Sequence, residues 1–84
     1  MDNKYLVELH VPSLQQTYNV YIPVNRRVGN VVALLNKCLF ELSNGEYRGS
    51  KSTCLYDRNS GQRYDANLLI RQTNIKNGSE IVIF

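Results

Sequence analysis

A single change of hydrophobic period constrains this chain more than any other feature. From Tyr5 to Ile22 apolar residues tend to recur at every second position; from Val28 to Leu42 they recur at every third or fourth. The first pattern describes strands with one buried face, and the second describes one helix with an apolar stripe. A chain of 84 residues has room for a single hydrophobic core. One amphipathic helix and several half-buried strands must therefore share it.

In KYLVELHV, residues 4–11, Tyr5, Val7, Leu9 and Val11 fall on one face and Leu6, Glu8 and His10 on the other. The turn-forming PSLQQ separates this segment from TYNVYIPV, residues 17–24, where Tyr18, Val20 and Ile22 share a face, so the two read as a hairpin. Pro23 has no N–H to donate to a sheet ladder, and the second strand is expected to stop near Ile22. The helix then carries Val28, Val31, Val32, Leu35, Cys38, Leu39 and Leu42 on its inner stripe. Asn25 is placed to cap its N-terminus, and Gly45, after Asn44, supplies the left-handed residue that commonly ends a helix. EYRGSKS reads as a loop, and STCLYD as a third strand with Thr53 and Leu55 inward and Cys54 and Tyr56 outward. A turn at Arg58–Gly61, a short strand at 62–64, a helical or turn segment at 66–72 and a last strand at 80–84, with Ile81 and Ile83 inward, complete the order. A core-facing Cys38 and an outward Cys54 would lie on opposite sides of the sheet, too far apart to bridge.

Several function classes are disfavoured. Ten basic residues against seven acidic ones give a net charge of +3, but the basic ones are scattered and only Arg26 and Arg27 are adjacent. A nucleic-acid footprint would cluster them, so no nucleic-acid partner is expected. No stretch approaches the ~20 apolar residues of a membrane span, and no signal-peptide pattern is present, so a cytoplasmic protein without direct membrane insertion is expected. Two cysteines without a CxxC spacing and one histidine indicate neither a zinc motif nor a disulfide framework, and no cofactor is expected. Catalysis is not expected either. The lone histidine, His10, has Cys54 as its one conceivable nucleophile partner, the carboxylates show no acid and base spacing, and there is no glycine-rich phosphate loop.

The run CLYDRNSGQRYDANLLIRQTNIKNGSEIVIF resembles the second half of ubiquitin-like proteins: strand, glycine-containing turn, short strand, short helical segment, Asn-Ile element, turn and closing apolar strand. Tyr18, Val20 and Ile22, and then Val28, Val31 and Leu35, fit the inner faces of that family's second strand and helix. Within the superfamily, the LYD, the NIKNGSEIVI ending and the small size are similar to the YukD-like bacterial proteins associated with type VII secretion. The resemblance implies an α+β ubiquitin-like β-grasp fold over residues 1–84, one domain with a mixed sheet of four to five strands packed on one α-helix. It also implies a protein partner, such as a larger membrane-associated secretion component. A ubiquitin-like modifier or sulfur carrier is the alternative; those act through a C-terminal Gly-Gly tail, and this sequence ends at Phe84, so that role requires a longer natural C-terminus.

The same resemblance implies the sheet order second, first, last, third, which would set Leu6, His10, Val82, Phe84, Cys54 and Tyr56 side by side on the outer face. Tyr56, Val82 and Phe84 fall close to the apolar patch that partners of ubiquitin read. Leu6, His10, Tyr56, Val82 and Phe84 are thus the candidate partner-binding residues, with Tyr21 extending the stripe along the second strand.

Overall fold

The computed structural model describes residues 3–84. Strand β1 (Lys4–Val11) turns through a 3-10 segment, Pro12–Leu14, into β2 (Gln16–Pro23). Helix α1 (Val28–Leu42) follows, then β3 (Leu55–Asp57), a second 3-10 segment at Ile70–Gln72, and β4 (Glu80–Ile83). The four strands form one mixed sheet in the order β2-β1-β4-β3. β1 pairs antiparallel with β2 and parallel with β4, and β3 pairs antiparallel with β4.

Alternation places the β1 side chains as the two-residue period requires: Val7, Leu9 and Val11 are buried against α1, joined by Ile22, Leu55, Ile81 and Ile83 from the other strands. From α1 come Val28, Val31, Val32, Leu35 and Leu39. Two members of the expected helical stripe are corrected. Cys38 is exposed, because it lies about 80° round the helix from Val28 at 100° per residue, at the margin of the buried arc. Leu42 lies within that arc yet is 64% exposed, so the last helical turn projects past the core. Both cysteines are free.

The helix ends also differ from expectation. Arg27, not Asn25, is the N-cap residue, and no side chain caps the helix. The N–H groups of Val28 and Gly29 instead donate to the carbonyls of Leu68 (2.8 Å) and Ala66 (3.0 Å), while the Arg27 guanidinium donates to the Asn67 carbonyl. The 66–69 backbone thus does the work of a cap. At the other end Asn44 (φ 54°) is left-handed as well as Gly45 (φ 84°). Gly45 N–H donates to Phe40 O (2.8 Å) and Asn44 N–H to Glu41 O (3.3 Å), the bond pair of a Schellman motif.

β2 extends through Pro23, which is tolerated because β2 is an edge strand. The expected strand at 62–64 reduces to one bridge between Arg63 and Tyr56, and the expected third strand shortens to three residues. Cys54 and Phe84 still exchange both backbone hydrogen bonds (3.0 Å each), which carries the β3–β4 ladder one pair further. The segment read as a loop contributes a core residue: Tyr47 is buried, and its hydroxyl donates to Asn36 Oδ1 at 2.6 Å.

Two predictions follow from this packing. Leu39→Ala removes a buried side chain from the centre of the α1 stripe and is expected to lower unfolding free energy by about 2–5 kcal/mol in chemical denaturation. An unchanged midpoint would show that α1 does not pack as described. The second concerns alkali: burial, then the Asp57 charge, pushes the Tyr64 hydroxyl up to about 12. Its unfolded value is about 10, so the folded state prefers the neutral phenol. The resulting stability is complete below pH ~10 and is lost as pH rises toward ~12. Tyr64→Phe should flatten that decline in denaturation curves recorded from pH 9 to 12; an equally steep decline in the variant would refute the assignment.

Candidate functional site

The pleat that buries Leu9, Ile81 and Leu55 turns their neighbours outward, and the strand register decides which of those meet. His10 stands opposite Val82 across the β1–β4 pair, and Val82 stands opposite Tyr56 across β4–β3. Thr17 stands opposite His10 on β2, so Thr17, His10, Val82 and Tyr56 form one row across the whole sheet. Beyond it lie Phe84, 74% exposed, and half-buried Cys54. Val82, Tyr56, Cys54 and Phe84 therefore make an apolar patch at the β3–β4 end of the outer face.

The register divides the expected stripe. On the other side of the His10 row comes a polar row, Asn19, Glu8 and Glu80, with Arg58 reaching in. Arg58 Nη1 is 2.7 Å from Glu80 Oε1. Leu6, 40% exposed, lies past this row and pairs with Tyr21, not with the patch. The structure thus brings Val82, Tyr56 and His10 together, puts Phe84 beside them, and sets Leu6 and Tyr21 apart. Glu8, Glu80 and Arg58 were not among the sequence candidates. The period-two pattern did place Glu8 between Leu6 and His10, and Glu80 two residues before Val82, so the sequence held the signal for both carboxylates.

The geometry offers little to a nucleophilic mechanism. His10 Nδ1 is 3.1 Å from the Thr17 hydroxyl, and Cys54 Sγ donates to the Ser52 carbonyl at 3.4 Å. His10 and Cys54 are on strands two places apart, about 10 Å at the usual interstrand spacing, and not in the same row. At the β3 edge an open groove of about 340 Å³ runs between α1 and β3, lined by Val28, Val32, Ala33, Cys54, Leu55 and Tyr64 among others. No titratable pair faces into it with the geometry of an acid and base. Among the described residues no helix is long and apolar enough to cross a membrane.

No protein-family model matches the sequence, and no characterised protein sequence does. Solved structures do match. An N-terminal ubiquitin-like domain solved in solution superposes with a TM-score of 0.74 at 16% identity, covering 98% of this chain and 74% of that one. The ubiquitin-like domain of an Arabidopsis thaliana protein gives 0.64 at 23% identity, covering 98% and 77%. A chain of the MycP5-free ESX-5 inner membrane complex gives 0.68 at 16% identity, covering 98% of this chain but 21% of that much longer one. With one helix on a four-stranded mixed sheet of order β2-β1-β4-β3, and these neighbours matching it over nearly its whole length, the chain has the ubiquitin-like β-grasp fold.

Proposed function

We propose that this chain is a non-catalytic interaction module that docks on another protein through the outer face of its sheet. The observation that carries the reading is the apolar patch: Phe84 is 74% exposed beside half-buried Val82 and Tyr56. Solvent favours polar groups at such positions, and aromatic residues flanked by polar ones are what protein interfaces select. Basic residues are dispersed, and the Arg27 guanidinium is engaged with the Asn67 carbonyl, which argues against a nucleic-acid partner.

The more specific reading is an adaptor of a bacterial type VII secretion system, cytoplasmic, docking on a larger membrane-associated component. Its support is the YukD-like character of the LYD and NIKNGSEIVI segments, together with the occurrence of this fold inside a chain of an inner membrane complex. Fold alone does not convey function, so the two readings need separate tests.

Tyr56→Ala combined with Phe84→Ser truncates the two aromatics of the patch, half-buried Tyr56 and exposed Phe84, and leaves the inner-facing Leu55 and Ile83 in place. Aromatic anchors commonly contribute ~2 kcal/mol or more each, so the double variant should bind a partner isolated with the wild-type chain more than about tenfold more weakly. Circular dichroism and melting temperature should change little. A folded double variant with undiminished affinity would move the docking surface off this sheet face. Recovery of a partner outside any secretion apparatus would leave the interaction module standing and remove the secretion assignment.

A further inference from the structure

We propose that Glu8, His10 and Glu80 form a binding site for a divalent cation of the zinc class on the outer face of the sheet. One ligand atom from each residue lies within 4.8 Å of the other two. His10 Nε2 is 3.4 Å from Glu80 Oε1 and 3.8 Å from Glu8 Oε1. In a tetrahedral zinc site with bonds of about 2.0–2.1 Å, neighbouring ligand atoms stand about 3.3 Å apart. The His10–Glu80 separation already meets that figure. Glu8, with its side chain 45% exposed, has to move closer to meet it as well.

Two independent features mark this as more than a chance meeting of charges. His10 Nε2 has less than 1 Å² of accessible surface and no hydrogen-bond partner, although its ring faces two carboxylates. Its other nitrogen is positioned by the Thr17 hydroxyl at 3.1 Å. When Nδ1–H donates to that oxygen, the Nε2 lone pair is left pointing at Glu8 and Glu80, an arrangement that a cation satisfies and that metal-binding histidines use. Secondly, Glu8 and Glu80 stand directly opposite each other across the central parallel pair, where like charges destabilise a sheet. The Arg58 guanidinium offsets one of them, at Glu80 Oε1, and a bound dication would offset both.

One imidazole with two carboxylates suits zinc and its transition-metal neighbours better than magnesium or calcium, which favour all-oxygen shells. Three protein ligands leave the fourth position of a tetrahedral shell to a further ligand. The site has no sequence motif because its ligands come from two strands that are neighbours in the sheet and some 70 residues apart in the chain.

The test is a titration of the full chain carrying Cys38→Ser and Cys54→Ser, which removes the thiols as competing ligands, with zinc chloride at neutral pH in a non-coordinating buffer. Calorimetry should show one zinc per chain, the melting temperature should rise, and the His10 Nε2 nitrogen resonance should shift far more than Nδ1. His10→Gln and, independently, Glu80→Gln should weaken binding at least about tenfold, and a large excess of magnesium should not compete. Absence of a zinc heat, an unmoved Nε2 resonance, or affinity retained in His10→Gln would each overturn the proposal. The ring-nitrogen measurement needs neither ligand variant and decides the matter even if one of them fails to fold.

Discussion

The parallel pairing of β1 with β4 is the contact on which the rest of the structure depends. Parallel neighbours cannot be joined by a tight hairpin; the chain has to leave the sheet and cross back before it pairs again. The segment from Val24 to Cys54 is that crossover, from β2 on one edge of the sheet to β3 on the other, and α1 is the part of it that packs on the sheet. The pairing sets Leu9 beside Ile81 at the centre of the core, with Val7, Val11 and Ile83 around them. A slip of one residue in either strand would turn Glu8, His10 or Glu80 inward and an isoleucine or leucine outward, so the register is held by the hydrophobic pattern itself. What the outer face displays is consequently fixed by what the inner face must bury.

The crossover is tied down at the N-terminus of α1. Its first N–H groups are satisfied by the backbone of residues 66–68, and the bonds from Ile70 N to Arg26 O and from Arg71 N to Val24 O continue the same seam. The close approach explains Gly29, a poor helix former in the first turn. A Cβ there would sit 3.3 Å from the Ala66 carbonyl oxygen and 3.4 Å from the Ala66 methyl, tighter than ordinary contact. The propensity forgone at one glycine is about 1 kcal/mol, of the same order as a helix cap, so a backbone cap from a distant segment can offset it.

These long-range contacts mark where the sequence stopped being legible. Period alone identified β1, β2, α1 and β4 to within a residue or two, because each presents one continuous face to a single core. It failed at Asn25, whose residue type suits a cap, because the cap comes from a loop some 40 residues away. It failed at Cys38, since a stripe read from spacing does not say how wide an arc the sheet covers. Tyr47 was missed for the opposite reason: one aromatic in a Gly- and Ser-rich segment has no period, and its burial depends on Asn36 of α1 accepting its hydroxyl. At the candidate site the outward residues were all readable from alternation. Their grouping was not, because only the cross-strand register separates Leu6 from Val82 by a charged row.

That charged row and the apolar patch share a border, since His10 and Val82 are direct neighbours on β1 and β4. A protein docking over Val82, Tyr56 and Phe84 would also remove water from the edge of the Glu8, His10 and Glu80 cluster. Lower local dielectric strengthens every charge interaction there, the unfavourable Glu8–Glu80 pair included. Docking on the bare cluster would therefore carry an electrostatic penalty that a cation relieves. By linkage the relation runs both ways: whatever neutralises the cluster favours docking, and docking favours whatever neutralises the cluster. The outer face of this small sheet thus sets an exposed apolar surface beside a charged cluster, and both follow from the register of the two central strands.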